Sequence, residues 1–401
     1  MPLHAQNNQS NPNTLRVKAK KHLTTSKGLL DRDELKYLEN IVHCGLPTLT
    51  DYYCHDYWTV KSKNPKPLVK SQFYNQFTIK KSDSLAMSIA RTAAFLVIKD
   101  DSIIFEHYYS GFNQNNVLNS FSMSKTIMSL LIGKAIDLGY IKSIDEPVNK
   151  YIDWLTTPKD SLLTIRDLLN MASGLNWKED FLNPFSDIVK SYYGYPLDKL
   201  LPAIHVTHQP NKKWRYQCVN YILAGIIIEK ASGMDLGSFI EKYLWTPLGA
   251  EHDALVGKDK SSGYPRTFCC FYATARDFAK LGLMVLHNGK WNGQQIIPGD
   301  YIEQMHHPAN HLKFKLFRHV DFYKLGMWIY PKKKYKAIYF AGVYGQYIFI
   351  LPEENAVIVH SGQMVNQLDV MRIPPDVPLY LKIGTEILKQ YDAKIKKDKT
   401  D

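Results

Sequence analysis

The stretch SFSMSKTIMSLLIGKAIDLGYI, residues 120–141, decides how the rest of the chain is interpreted. It holds the one S-x-x-K motif of the sequence, and the apolar residues that follow predict a helix over Ser122–Leu138. Ser122 would stand at the N-terminus of that helix, where free backbone N–H groups and the helix dipole can stabilise a developing oxyanion. Lys125, one turn deeper on the same face, could accept or relay the serine proton. The pair alone also fits a helix-capping serine followed by a solvated lysine.

The segments around this helix alternate between strand and helix patterns. Upstream, Ala93–Lys99 and Ile103–Tyr108 predict a β-hairpin closed by a tight turn at Asp100–Ser102. Residues 145–260 carry mostly helical patterns. Further strand and helix patterns follow, at Arg266–Ala273 (strand), Arg276–His287 (helix), Ala337–Phe340, Tyr347–Leu351 and Ala356–His360 (strands), and Pro378–Tyr391 (closing helix). This order predicts an α+β protein interrupted by a helical insertion.

Four parts follow from these patterns. We expect a disordered N-terminal segment over residues 1–30, which are rich in Asn, Gln and Ser and poor in apolar residues. Residues 31–144 and 262–391 form the α/β body that contains the sheet. Residues 145–261 form the helical insertion, and residues 392–401 form a basic tail.

The composition is that of a globular protein, with 45% hydrophobic and 22% charged residues. The net charge of +12 is spread along the chain and accompanies no recognised nucleic-acid-binding module, so we expect no nucleic-acid partner. No apolar run approaches the roughly 20 residues that span a bilayer, so we expect no integral membrane segment. The N-terminus has no hydrophobic signal core, which predicts a cytoplasmic protein as written. A periplasmic or secreted location would follow if the true start lies upstream.

The five cysteines are odd in number and irregularly spaced, which argues against a disulfide framework. They form no CxxC pair, and no His/Cys cluster suggests a zinc site, so we expect no metal and no cofactor. Cys269 and Cys270 are neighbours inside the predicted strand Arg266–Ala273 and are interpreted as strand residues.

Several stretches, taken in order, resemble the serine β-lactamase/penicillin-binding fold in its class C, esterase and 6-aminohexanoate-dimer hydrolase branch. They are RTAAFLVIKDDSIIFEHYYSGF (91–112), SFSMSKTIMSLLIGKAIDLGYI (120–141), LTIRDLLNMASGLNW (163–177), WRYQCVNYILAGIIIEKASG (214–233), FYATARDFAKLGLMVLHNGKWNGQQIIP (271–298) and FAGVYGQYIFILPEENAVIVHSG (340–362). The resemblance implies a β-lactamase/transpeptidase-like fold, with an antiparallel sheet flanked by helices and an inserted all-helical domain.

The resemblance also implies roles for three side chains. Ser122 matches the serine that is acylated, and Lys125 matches the lysine that polarises it. Tyr216 matches the tyrosine of the family's Y-x-N motif, and a nearby ammonium could lower the pKa of its phenol enough to make it a general base.

A third element of the fold is a strand beside the serine, and Gly342–Gln346 resembles its G-x-x-G-Q form in the nylon-oligomer branch. We expect the backbone N–H groups of Val343 and Ser122 to form the oxyanion hole. The predicted substrate-binding residues are Phe181, Gly342, Tyr344, Gly345 and Gln346.

Three departures from the family pattern narrow the prediction. Cys218 stands where Y-x-N has an asparagine, whose amide binds substrate and holds the lysine in β-lactamases. Asn220 is a candidate substitute, and Cys218 is a weak candidate nucleophile because no histidine is placed to activate it. The third element lacks K-T-G and offers Tyr344 instead. Phe181 stands where the nylon-oligomer branch has a tyrosine, and a phenyl ring donates no hydrogen bond.

The sequence therefore predicts a serine hydrolase that forms an acyl-enzyme with a small-molecule ester or amide, with a carboxylesterase-like activity favoured. One alternative is an amide hydrolase of the 6-aminohexanoate-oligomer, β-lactamase or D,D-peptidase type. A catalytically silent scaffold or binding protein on the same fold is the alternative from another class.

Overall fold

The computed structural model of the chain describes residues 31–260, 262–315, 318–364 and 372–400. The segment predicted to be disordered, residues 1–30, lies outside this part of the chain. The strands, β1–β16 in chain order, are Asp56–Val60, Val69–Lys70, Ala94–Lys99, Ser102–Tyr108, Leu118–Asn119, Ala254–Lys258, Phe271–Ala273, Lys290–Trp291, Gln294–Gln295, Lys313–Phe314, Arg318–His319, Tyr323–Lys324, Met327–Ile329, Ile338–Gly342, Gln346–Leu351 and Ala356–Ser361. The helices, α1–α12, are Arg32–Cys44, Lys81–Ile89, Met123–Asp137, Ile165–Leu169, Asp187–Tyr192, Leu197–Leu200, Val219–Ser232, Leu236–Ile240, Thr246–Leu248, Ala275–Leu286, Gly299–Met305 and Val377–Asp398. Short 3₁₀ turns lie at Asp51–Cys54, Val148–Lys150, Asp160–Leu162, Leu201–Ala203 and Pro352–Glu354, and a π turn lies at Glu241–Trp245.

An eight-stranded sheet forms the centre of the molecule, in the order β12-β13-β14-β15-β16-β3-β4-β2. Its neighbours are antiparallel except for β2, which runs parallel to β4. The β3–β4 hairpin is confirmed. Asp100 and Asp101 close it with φ of 48° and 61°, the pair of positive angles that a type I′ turn requires.

Helices cover both faces of this sheet. Two helix glycines pack against neighbouring residues of β16. A Cβ on Gly282 of α10 would lie 2.7 Å from Val357 Cγ1, and a Cβ on Gly384 of α12 would collide with Ile358. Successive strand residues point to opposite faces, so α10 and α12 pack on opposite sides of the sheet. Burial on both sides explains why β3, β15 and β16 are continuous apolar runs instead of alternating ones.

A second, four-stranded sheet lies in the order β1-β6-β7-β5. Residues 145–261, predicted as a helical insertion, supply α4–α9 and also strand β6, which pairs with β1. The predicted basic tail, residues 392–401, continues helix α12 as far as Asp398. The division of the chain into domains stays a prediction.

Helices α3 and α7 occupy the interior beside the main sheet. Most residues of both helices are buried, which is typical of a helix surrounded by protein on every side. Helix α4 begins with the capping box of Thr164 and Asp167, whose side chains each accept from the other residue's backbone N–H. Over the described residues, none of the helices combines the length and the apolar composition that crossing a bilayer would require.

Four of the cysteines are joined in disulfides, Cys44 with Cys54 and Cys269 with Cys270. The argument against a disulfide framework was therefore wrong, because the fold brings Cys44 at the end of α1 beside the turn that contains Cys54. The prediction of strand structure at Cys269 and Cys270 was also wrong. Strand β7 begins only at Phe271, and Cys270 has φ of 63°, a left-handed conformation that breaks the strand.

Candidate active site

The first turn of α3 brings Ser122 and Lys125 together. Ser122 is the N-cap residue, but its hydroxyl makes no capping hydrogen bond. Lys125 Nζ donates to Ser122 Oγ at 2.8 Å and to the Phe268 carbonyl at 2.6 Å. The lysine is only 2% exposed. The serine therefore does not cap the helix through its side chain, and the lysine is not solvated.

The backbone just before Ser122 has an uncommon conformation. Phe121 has φ of 44°, in the left-handed region that bulky residues rarely adopt. Asn119 holds it there, because its Oδ1 accepts the Phe121 N–H at 2.9 Å while its Nδ2 donates to Asp51 Oδ1 at 3.0 Å. Sequence reasoning missed Asp51 and Asn119. They lie 68 residues apart, and no local pattern connects them.

Tyr216 approaches the same hydroxyl from the segment that leads into α7. Its phenol is close enough to Ser122 for that residue to influence its pKa. The centre of its ring lies 5.0 Å from Lys125 Nζ. Trp214 and Trp328 pack against the ring, with centroids 6.2 and 6.4 Å away, and so limit its orientation. The three residues that the resemblance implies as catalytic are thus brought into contact.

The electrostatics of Tyr216 differ from the expectation. Burial raises the pKa of the phenol well above its usual value, and Cys218 and Glu179 act in the same direction. The proximity of Ser122 lowers this pKa but does not offset burial. The prediction that the ammonium lowers the pKa of Tyr216 was therefore wrong in direction. The phenol is protonated at neutral pH.

Strand β14 runs directly against the backbone of the serine. A Cβ placed on Gly342, the last residue of the strand, would lie 3.2 Å from Ser122 N and would collide with the Ser120 carbonyl. Only a glycine therefore lets the two backbones approach this closely. Val343 follows at once, so the two N–H groups predicted to bind an oxyanion belong to segments in contact.

Of the other predicted binding residues, one lies near the nucleophile and two belong to the β14–β15 hairpin. Tyr344 is half-buried, and its ring packs 5.1 Å from that of Phe121. Gly345 continues the turn with φ of 80°. Gln346 is buried, and its Nε2 donates to the carbonyls of Gly362 and Tyr344 at 2.7 and 3.3 Å. The structure therefore places Tyr344 near the nucleophile, whereas the side chain of Gln346 is directed away from it, into the hairpin.

The loop that follows the S-G-L turn contributes an acid that sequence reasoning used only to locate Phe181. Glu179 Oε2 accepts from Trp177 Nε1 at 2.6 Å and from Cys218 N at 2.8 Å. Burial raises the pKa of the Glu179 carboxyl, whereas the hydrogen bond from Cys218 N and the charge of Lys125 lower it. Phe181 lies two residues further on and is 46% exposed. The only sequence signal for Glu179 was an acidic pair after a turn.

Cys218 lies at the start of α7 with a buried side chain. Its backbone N–H, and not its thiol, is the group that contacts Glu179, donating to Oε2 at 2.8 Å. Burial raises the pKa of this thiol well above its usual value, and the protonated form is a poor nucleophile. Asn220, the candidate substitute for the missing asparagine, donates from Nδ2 to Met171 Sδ at 3.3 Å and is engaged elsewhere.

The side chains assembled here suit acyl transfer: a hydroxyl that accepts a hydrogen bond from a buried amine, with a phenol close to both. Across the ranges that the structure describes, no group of three or more His, Cys, Asp or Glu side chains could hold a metal ion.

A family model described as Beta-lactamase matches residues 85–369, which is well over half of the chain. The chain belongs to the β-lactamase family of serine hydrolases. The resemblance drawn from the ordered sequence stretches is thereby confirmed, and so is the α+β, β-lactamase/transpeptidase-like fold.

Two curated relatives illustrate the range of this β-lactamase family. The 6-aminohexanoate-dimer hydrolase of Paenarthrobacter ureafaciens is 25% identical over 225 residues, which are 53% of this chain and 57% of that protein. Penicillin-binding protein 4* of Bacillus subtilis is 31% identical over 147 residues, 34% of this chain and 30% of that protein. The chain thus matches a little over half of the first relative's length and less than a third of the second's.

Solved structures agree with the fold over a larger share of the chain. A Bacillus anthracis protein provisionally named a 6-aminohexanoate-dimer hydrolase superposes with a TM-score of 0.72 at 19% identity, covering 93% of this chain and 98% of that one. A family VIII carboxylesterase superposes with a TM-score of 0.62 at 15% identity, covering 80% and 98%. At these identities the likeness establishes the β-lactamase-like fold and leaves the substrate open.

Proposed function

We propose that this β-lactamase-family protein is a carboxylesterase-like hydrolase that forms an acyl-enzyme on Ser122. The observation that carries the proposal is the buried Lys125 Nζ at 2.8 Å from Ser122 Oγ, with the ring of Tyr216 centred 5.0 Å from the same Nζ. A scaffold without catalysis has no need to keep a buried amine against a serine that caps nothing.

The reaction would proceed in two steps. Ser122 Oγ attacks the carbonyl carbon and loses its proton to the Lys125–Tyr216 pair, while the N–H groups of Ser122 and Val343 bind the oxyanion. The alcohol leaves with that proton. Water then attacks the acyl-enzyme with the same pair as base, which releases the acid and restores Ser122.

Two residues favour esters over amides. Phe181 has no hydroxyl to donate to an amide nitrogen as it leaves, and Cys218 provides no side-chain amide to bind a substrate amide. An alcohol is a better leaving group than an amine and depends less on such donors. The named activity of the Paenarthrobacter relative supports the second candidate, an amide hydrolase acting on a 6-aminohexanoate-type oligomer.

The test compares wild type with Ser122→Ala on p-nitrophenyl esters, nitrocefin and the 6-aminohexanoate dimer, and measures labelling by a fluorophosphonate. We expect one adduct per wild-type chain on Ser122, faster turnover of esters than of either amide, and loss of at least about 10⁴-fold in the variant. Turnover of the 6-aminohexanoate dimer or of nitrocefin alone would favour the amide hydrolase. Equal behaviour of the two proteins would refute the enzyme and leave a silent scaffold.

A further inference from the structure

A polar ring lies inside the main sheet, beside the turn that carries Val343. His360 is fully buried in β16, and the four residues that precede it in the strand are all apolar. Across the sheet it is paired with Tyr347, two residues after Gly345, the last residue of the turn between β14 and β15. A buried polar group costs free energy unless it is hydrogen-bonded, so a histidine in this strand calls for an explanation.

The contacts of the imidazole fix both its orientation and its proton. Nδ1 lies 2.6 Å from the Gly345 carbonyl oxygen, and Nε2 lies 3.0 Å from Thr92 Oγ1. A carbonyl oxygen only accepts hydrogen bonds, so Nδ1 carries the proton and donates it to the turn. Burial lowers the pKa of His360 to about 3, so the ring is neutral at ordinary pH. The ring of Tyr380 stacks on the imidazole, with centroids 3.6 Å apart, and holds its plane.

The carbonyl that precedes Gly345 is held as well. Gln346 Nε2 donates to the Tyr344 carbonyl at 3.3 Å and to the Gly362 carbonyl at 2.7 Å. The residue just before these two anchored carbonyls is Val343, whose N–H is predicted to bind the oxyanion. Such a donor stabilises the transition state only where charge develops, and a displacement of roughly 1 Å can cost about 100-fold in rate.

We propose that His360 is a positioning residue for the oxyanion hole: by donating from Nδ1 to the Gly345 carbonyl, it fixes the turn and with it the N–H of Val343. The inference rests on the proposed acyl-enzyme chemistry. It accounts for a polar ring in an apolar strand at the point where that strand passes the turn.

The test compares two replacements of nearly equal shape, His360→Asn and His360→Leu. Both lose the ring that stacks on Tyr380, but the asparagine amide can take the place of Nδ1 and donate to Gly345. Each is assayed for kcat and KM on a p-nitrophenyl ester and on the matching thionoester, whose sulfur is a poor acceptor and gains less from an oxyanion hole.

We expect His360→Leu to lower kcat on the ester by about 10- to 100-fold, with KM changed less than about 3-fold. The ratio of ester to thionoester kcat should fall by a similar factor, because the thionoester depends less on the displaced N–H. His360→Asn should remain within about 3-fold of wild type in both kcat and this ratio.

Two further variants separate this role from a structural one. Thr92→Val removes the partner of Nε2 and keeps the Nδ1 donor, so we expect it to lower thermal stability and to leave kcat and the ratio within about 3-fold of wild type. If His360→Leu does not fold, Gly362→Ala displaces the same turn, since the added Cβ would lie 2.7 Å from the Tyr344 carbonyl oxygen. It should lower the ester-to-thionoester ratio, and an unchanged ratio would contradict the inference.

Three results for the His360 variants overturn the inference: wild-type kcat in His360→Leu, equal losses in His360→Leu and His360→Asn, or a loss of ester kcat with an unchanged ester-to-thionoester ratio. In each of these, fluorophosphonate labelling of the wild type on Ser122 leaves the proposed function standing. Absence of that labelling refutes both proposals.

Discussion

The candidate site has two sides, and they differ in how far apart along the chain their contacting residues lie. The nucleophile side, Ser122 and Lys125, lies within one helical turn, and its 2.8 Å contact follows from i, i+3 geometry. The far wall, which we define as Glu179, Tyr216 and Cys218, is assembled by contacts such as the one between Cys218 N and Glu179 across 39 residues. The geometry of the nucleophile side therefore follows from adjacent residues, whereas that of the far wall depends on how distant segments pack.

Removing the amine from the nucleophile side should have the largest effect of the variants that keep the serine. We expect Lys125→Met to lower kcat on a p-nitrophenyl ester by about 10²–10⁴-fold, because the serine loses its proton acceptor. Methionine fills a similar volume and is well tolerated in buried positions, so thermal unfolding should change little. Lys134→Met is the matched control, since it makes the same change near the other end of α3, and it should leave kcat unchanged. A Lys125→Met enzyme with wild-type kcat would contradict the assignment.

A change on the far wall should cost less and alter the pH dependence. We expect Tyr216→Phe to lower kcat/KM by about 10- to 100-fold, within the usual range for one acid–base group. Because burial raises the pKa of Tyr216, the phenol gives up its proton only as the pH rises into the alkaline range. Wild-type kcat/KM should therefore still increase above neutral pH, and Tyr216→Phe should lose the part of that increase due to the phenol. Profiles from pH 6 to 10 that differ only by a constant factor would argue against this role.

The comparison also separates what the sequence could predict from what it could not. Ser122, Lys125 and the β3–β4 hairpin follow from short-range patterns, because a helical turn and a two-residue turn are encoded by adjacent residues. The β-lactamase-like fold was predictable from the order of several such patterns. Tyr216, one of 26 tyrosines, was identifiable only through the family resemblance.

The contacts of the far wall required the folded chain. The raised pKa of Tyr216 depends on burial, which depends on how α7 packs, and the sequence alone predicted the opposite direction. Gln346 illustrates the same limit. Its position in the motif predicted a substrate contact, but the register of β15 directs its amide to the Gly362 carbonyl instead. The disulfide between Cys44 and Cys54 likewise depends on where α1 packs.

The smallest predicted effect concerns Asn119. It tests whether the geometry of Ser122 and Lys125 depends only on the residues of the S-x-x-K turn. Asn119 links Phe121, at φ of 44°, to the buried Asp51, so Ser122 also depends on a long-range contact. Asn119→Ala leaves both partners without that hydrogen bond. We expect the free energy of unfolding to fall by about 1–3 kcal/mol and kcat to fall only a few-fold, because Lys125 still donates to Ser122.

Thermal unfolding and ester kinetics well below the unfolding temperature measure the two effects separately. Asn113→Ala, in the exposed loop before β5, makes the same substitution at a position remote from Phe121 and should change neither. If Asn119→Ala unfolds and turns over like wild type, the S-x-x-K turn holds its geometry unaided. A loss in kcat as large as that of Lys125→Met would mean that the left-handed Phe121, and the long-range contact that holds it, matter as much to catalysis as the amine.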